Sequence, residues 1–276
     1  MSTGARTSSL LKRGLKLALL PAAMTGREQR PGLSVLIYHR VGAGQGREMD
    51  LPVRTFAAQM TALRARADVV GLREGLAALE AGALRRDAVA VTFDDGYREV
   101  YTNAWPVLRD LDIPATVFLP TAFLQGASPA PIRAGGAPRG ARPVPLSWGQ
   151  VEEMTAAGSL EVGSHSVTHT DFDLLSRDEA EDEAARSKDV LEERTGERPE
   201  LFAYPRAIVA HHDVVAAHYR YAVAADGLKN VEIGSDGLIT RTPVRASDGV
   251  FFFKRKLEGM RPLEDRVYER LRGTRR

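Results

Sequence analysis

The chain has no cysteine in its 276 residues. That absence excludes a disulfide framework, a thiolate metal site and a cysteine nucleophile, so a bound metal must draw on histidine, carboxylate and water. Net charge is also scarce: the formal balance is only +2, too small to point to nucleic acid. Glycine-rich dinucleotide fingerprints and P-loops are missing. So are long apolar runs. In "SSLLKRGLKLALLPAAM" (8–24) the apolar stretch is about eight residues, far short of the roughly 20 that span a bilayer. Lys12, Arg13 and Lys16 give it the basic flank of a signal peptide, but Pro21 interrupts it and no clear A-x-A cleavage site follows. Residues 1–30 are therefore expected to be an amphipathic or flexible leader that packs on the body or makes peripheral contact with a membrane surface. A cytoplasmic or membrane-associated place is favoured over secretion. At the other end, Leu263, Val267 and Leu271 recur at helical spacing among basic residues and predict a basic helix or tail over 263–276.

Between these ends the composition is that of a soluble globular protein, 43% hydrophobic and 27% charged. Short apolar, β-branched runs read as buried strands: "LSVLIYH" (33–39), "DVVGL" (68–72), "AVAVTF" (88–93), "ATVFL" (115–119), "LEVGS" (160–164), "LFAY" (201–204) and "YAVAA" (221–225). Segments of helical period separate them. Phe56, Met60 and Leu63 mark one; residues 96–112 and 147–158 mark two more, the latter closed by Gly158. "SRDEAEDEAARSKDVLEERTG" (176–196) opens on a Ser176–Glu179 capping box, and its charge run reads as a solvated face. Seven strands alternating with helices predict an α/β fold with a parallel sheet, and their number favours a barrel over an open doubly wound sheet. With no sharp composition break, residues 31–262 form one domain. The Gly-, Pro- and Arg-rich stretch 125–145 is a long loop.

The unusual residues lie at strand ends. Tyr38 and His39 end the first strand, Asp94 and Asp95 follow "AVAVTF", His165 follows "LEVGS", and Tyr204 and Pro205 follow "LFA". In a parallel barrel these ends converge on one face, where active sites are built. "TFDDG" is either a plain Asp-Gly turn or a carboxylate pair in which one aspartate binds a cation and the other faces the cation's water. "HSVTH" is either two surface histidines or, if a helical turn begins at His165, two imidazoles reaching one ion. Asp–His–His would leave positions open for water and substrate, with zinc the default ion and cobalt or nickel also fitting. His211 and His212 read as exposed loop residues before an Asp213 N-cap, and His218 as a structural helix residue.

"TFDDG", "SHSVTH" and "FAYPR" together resemble the polysaccharide deacetylase family, the NodB-homology domain of carbohydrate esterase family four. "YHRVG" (38–42) and "SW" (147–148) fit the same pattern, and the resemblance covers about residues 31–262. It implies a distorted (β/α)7 barrel of the glycoside hydrolase/deacetylase type and metal-dependent removal of acetyl groups from N-acetylated sugars. By position it makes Asp95, His165 and His169 the metal ligands and Asp94 the base. It puts Tyr204, Pro205, Arg206 and His39 around the substrate, an acetylated glycan or polysaccharide. The third motif departs from the pattern. Ala203 stands where the family usually has arginine, as in the branch acting on exopolysaccharides such as poly-N-acetylglucosamine, and Arg206 replaces an aromatic. The Arg206 backbone N–H can still face an oxyanion. The family's late histidine, its general acid, is also missing, since no histidine follows His218; Asp94 or His39 must serve instead. Its aspartate–tryptophan motif is absent too, both tryptophans, Trp105 and Trp148, lying earlier. Alternatives are a deacylase for another amide or ester, and a glycan-binding module that kept the metal cup without full catalysis.

Overall fold

A computed structural model describes residues 30–127, 143–225, 227 and 229–257. All but the last residue of the expected leader (1–30), the tail at 263–276 and most of the long loop (128–142) lie outside the described residues. Seven parallel strands form the frame: β1 (Leu33–Tyr38), β2 (Ala88–Phe93), β3 (Ala115–Leu119), β4 (Leu160–Ser164), β5 (Leu201–Ala203), β6 (Tyr221–Ala225) and β7 (Leu238–Pro243). Their spatial order is β1-β7-β6-β5-β4-β3-β2, and β2 pairs back onto β1, which closes the ring into a (β/α)7 barrel. The closing seam is long on one side, from Leu33↔Ala88 to Tyr38↔Phe93, and short on the other, Leu36↔Thr242 and Ile37↔Pro243. Because helices cover the outside and side chains fill the inside, strands such as β1, β2 and β3 are buried at every position instead of alternating.

Strand membership differs from expectation at one place. "DVVGL" gives only the two-residue strand Asp68–Val69, which pairs with Ala88 and Val89 beside the ring. The seventh barrel strand is β7, whose "LITRTP" lacks the apolar run because two of its three buried positions carry Arg241 and Thr242.

Besides the four-residue helix Thr121–Leu124, the helices are α1 (Val53–Arg64), α2 (Leu72–Glu80), α3 (Trp105–Asp110), α4 (Trp148–Ala156), α5 (Arg177–Thr195), α6 (His212–His218) and α7 (Gly249–Leu257). α1 buries Phe56, Gln59, Met60 and Leu63 on one face, the spacing its period predicts. The segment expected to be helical at 96–112 resolves into a π-turn at Val100–Ala104 followed by α3. Ser147 and Gln150 make a capping box at α4, and Ser176 and Glu179 make the one foreseen at α5. Gly158 and Gly196 take positive φ (72° and 73°) just past their helices, a conformation costly for other residues. The face of α5 is not wholly solvated, since Glu183 and Lys188 are buried. The main core lies between the sheet and α1, α3 and α4, and an aromatic cluster of Phe172, Phe202, Tyr204 and Tyr219 lies under α5 and α6.

Candidate metal centre and active site

The C-terminal strand ends meet as a parallel barrel requires. Asp95 Oδ1 lies 3.5 Å from His165 Nε2 and 3.2 Å from His169 Nε2, and the two imidazole centroids are 4.7 Å apart. One ligand atom from each residue falls within 4.8 Å of the other two, and all three residues are buried. "HSVTH" does this without a helical turn. Ser166 and His169 have φ of 65° and 62°, so the segment after β4 is a tight left-handed loop; Asp95, at φ 72°, is held the same way. Such backbone is strained for non-glycine residues and persists only where neighbours over-determine it. Here His165 N–H donates to Leu119 O (3.0 Å), His169 N–H to Ser166 Oγ (3.0 Å), and Ser166 O and Val167 O accept from Thr121 and Ala122 (3.2 and 2.9 Å).

The donor set fits a divalent cation. His165 Nδ1 is 2.7 Å from the Ala203 carbonyl, which cannot donate, so Nδ1 carries the proton and Nε2 of the neutral ring presents a lone pair. Lone pairs facing a carboxylate oxygen at such distances repel unless a proton or a cation lies between them. Without a cation, protons take that role. Burial disfavours the charged His165 ring, but Asp94 and Asp95 outweigh it and raise its pKa. Burial likewise pushes Asp95 up, but hydrogen bonds with His165 and His169 and the charge of His39 hold it well below the usual carboxylate range. His169 Nδ1 is buried with no hydrogen-bond partner among the described residues.

Asp94 faces a different partner. Both its oxygens are taken by Arg241, Nη1–Oδ1 at 2.7 Å and Nη2–Oδ2 at 2.8 Å. Its pKa is lowered because the charges of Arg241 and His165 overcome burial. The charge of half-buried His39 also lowers both aspartates, and Asp94 N–H donates to the carbonyl of the preceding residue, Tyr38 (3.0 Å), which brings the end of β1 to the pair. Of the other expected site residues, Tyr38 turns inward instead, packing on Phe56 and Phe93 and donating to Gln59 Oε1 (3.0 Å). Tyr204 is buried against Phe172 and Phe202, and its hydroxyl donates to His212 Nδ1 (2.7 Å); burial raises its pKa. Pro205, also buried, begins the 3-10 turn Pro205–Ala207, in which Arg206 and Ala207 take positive φ (51° and 58°). The exposed Arg206 guanidinium pairs with Asp171. His211 and His212 are half-buried and anchor loops through Leu175 O and Asp236 O, and helix α6 is capped at His211, with Asp213 inside its first turn.

Two functional residues escape the motifs. Arg241 could be noticed as a charge inside a barrel strand, which demands a buried counter-charge. Glu183 accepts the N–H groups of Val167 and Thr168 (2.8 and 2.9 Å) and the Thr168 hydroxyl (2.7 Å), fixing the loop between the two histidines. Nothing in the acidic run of α5 singles it out.

Residues 81–224, just over half the chain, match the family model "Polysaccharide deacetylase". The chain belongs to the polysaccharide deacetylase family. Within that family, the putative polysaccharide deacetylase YxkH of Bacillus subtilis is 24% identical over 180 residues, 64% of this chain. The match spans 58% of YxkH's own length. Among solved structures, IcaB from Ammonifex degensii is 26% identical with a TM-score of 0.66, covering 83% of this chain and 98% of IcaB. The Streptococcus pyogenes deacetylase PplD, solved with acetate, superposes with a TM-score of 0.70 at 20% identity, covering 85% of this chain and all of PplD. No helix among the described residues is long and apolar enough to cross a membrane.

Proposed function

We propose that the protein hydrolyses the acetamido group of N-acetylated sugars in a polysaccharide, with a divalent cation held by Asp95, His165 and His169. Zinc is the first candidate for two imidazoles and a carboxylate, and cobalt or nickel suits the same donors. The carrying observation is the buried Asp95–His165–His169 group with a second carboxylate, Asp94, next to it in sequence and bound to none of its imidazoles. When bound, such a cation supplies Lewis acidity, lowering the pKa of a water and polarising a carbonyl oxygen. The chain's own residues do the rest. Asp94, ionised by Arg241, takes the proton of the attacking water as the new C–O bond forms at the acetyl carbon. The backbone N–H of Arg206 donates to the developing oxyanion; it sits in a turn whose next two N–H groups are spent on Tyr204 O and Pro205 O (2.9 and 3.1 Å). As the C–N bond breaks, His39 delivers a proton to the leaving nitrogen, the task left open by the missing late histidine. The Ala203 variant of the third motif makes poly-N-acetylglucosamine the first polymer to try.

The deciding experiment is acetate release from N-acetylglucosamine oligomers and acetylated polymers, with metal content measured on the same sample. Asp94→Asn is expected to abolish turnover and keep the metal, whereas Asp95→Asn and His169→Ala lose both. Unchanged turnover in Asp94→Asn would show that another group is the base. Polymer binding without acetate release in metal-loaded wild type would favour a binding module instead.

A further inference from the structure

The turn after β5 is strained, and a side chain helps to hold it. Arg206 and Ala207 take positive φ in succession (51° and 58°), a region that glycine or asparagine enters with far less strain. Such backbone persists where its surroundings over-determine it. Part of the restraint is local, since Ala207 N–H donates to Tyr204 O and Ile208 N–H to Pro205 O (2.9 and 3.1 Å). The rest reaches across to the histidine loop. Arg206 Nη1 donates to Asp171 Oδ1, and Asp171 stands two residues beyond His169, its Cα within about 7.6 Å of that histidine's. The carboxylate has a rigid base. Its side chain is 12% exposed, and the next residue, Phe172, is buried against Phe202 and Tyr204. Two further bonds join the same segments, His165 Nδ1 to Ala203 O (2.7 Å) and His211 Nε2 to Leu175 O (2.9 Å). Both lie outside the turn Pro205–Ala207, so within it Arg206 makes the link.

We infer that the Arg206 side chain positions its own backbone: anchored on Asp171, it fixes the Arg206 N–H against the histidine loop, so that the oxyanion donor and the cation site form one rigid cup. The inference rests on the reading of the Arg206 N–H as oxyanion donor, and it deepens that reading by naming what holds the donor in a turn without glycine. Position matters here because a donor misplaced by about 1 Å can lose about 100-fold in rate.

Asparagine tests this at position 206, because it tolerates positive φ and removes the guanidinium. At position 171 alanine serves, since the Asp171 side chain caps nothing in the 3-10 turn Phe172–Leu174. Arg206→Asn, Asp171→Ala and the double variant are compared with wild type. Acetate release from N-acetylglucosamine oligomers, hydrolysis of p-nitrophenyl acetate and affinity for a phosphonamidate analogue of the tetrahedral intermediate are measured on each, with metal content and urea unfolding. In Arg206→Asn, kcat is expected to fall about 10–100-fold on both substrates at little-changed KM, since both pass through the same oxyanion. The phosphonamidate weakens by a similar factor. Asp171→Ala does the same, and the double variant is no slower than either single one, as residues acting through one bond require. Wild-type kcat and phosphonamidate affinity in Arg206→Asn overturn the inference and leave the hydrolase standing. Losses that add in the double variant overturn it too, as does a loss confined to metal content or urea stability, the mark of a loop strut. If Arg206→Asn does not fold, Asp171→Ala decides by the same two readouts. Wild type that releases acetate from neither substrate would instead sink the hydrolase reading underneath.

Discussion

His39 is the residue with the most specific chemical demand placed on it. An amine leaves an acetyl carbon only as a protonated nitrogen, and His39 follows Tyr38, whose carbonyl accepts from Asp94 N–H (3.0 Å) at the end of β1. Its Nδ1 is buried with no hydrogen-bond partner among the described residues, so no neighbour spends that nitrogen on structure. His39→Gln is therefore expected to slow acetate release from N-acetylglucosamine oligomers by about 100-fold or more. Hydrolysis of p-nitrophenyl acetate, whose leaving group needs no proton, should stay within a few-fold of wild type. An equal loss on both substrates would mean that His39 shapes the site and does not deliver the proton. At this scale the motifs were informative where chemistry and chain position coincide: Asp95, His165 and His169 come together from two segments. Their residue types told less about direction. Tyr38, the last residue of β1, packs on Phe56 and Phe93 and so turns away from the site. Arg241 carries no motif at all, and only its burial and the Asp94 contact reveal its importance.

Elements place these side chains, and α5 does so for the histidine loop. Glu183 sits two helical turns in from the Ser176 cap and offers both oxygens to Val167 and Thr168. Glu183→Ala would leave the buried Val167 N–H without a partner, a cost of about 1–3 kcal/mol, and would free the Thr168 N–H on the exposed side. It is also expected to weaken cation binding about 10–100-fold, as loss of an outer support does. Glu183→Gln keeps an oxygen for the amides and should recover most of both. Dialysis against metal and urea unfolding of the two variants check this, and full cation affinity in Glu183→Ala would remove α5 from the site. β4 contributes differently. An added Cβ at Gly163 would meet Phe118 ring carbons at 2.4 and 2.5 Å. Phe118 lies under Arg241 and has little room to give way. Gly163→Ala should cost about 1–3 kcal/mol of stability in urea unfolding. Legibility at this scale follows burial. Strands closed in on both faces, such as β2 and β3, have the bounds their apolar runs predict. α5 was marked by its capping box, but the "HSVTH" turn was not, because positive φ at Ser166 and His169 leaves no trace in residues other than glycine.

Across the whole molecule, closure of the ring separates two ends with different duties. β7 escaped the apolar count because a strand that helps build a polar site is itself polar, while "DVVGL" was apolar enough to be counted and only flanks β2. Polar side chains at the C-terminal ends carry the chemistry, and those at the N-terminal ends affect stability alone. Glu161, near the start of β4, tests that separation. It borders a cavity of about 340 Å³ formed with α4, the end of α5 and the segment before β5. Burial raises its pKa above the ordinary 4.5; the Arg73 contacts (Nε–Oε1 3.0 Å) and the Thr116 hydroxyl oppose the shift, and the charge of Glu200 adds to it. Arg73 is half-exposed, so its charge is screened and burial wins. For an acid with a raised folded pKa, the contribution to stability is full below the ordinary value and is lost as pH rises through the folded value. At pH 8 the ionised Glu161 therefore destabilises the fold. Glu161→Gln removes that charge, and Arg73, already half in water, loses little. The variant is expected to unfold at higher urea than wild type at pH 8, to match it near pH 4, and to release acetate at the wild-type rate. Greater stability of wild type at pH 8 would mean that the Arg73 pair outweighs burial, and a fall in acetate release would mean that the two ends of the barrel are coupled.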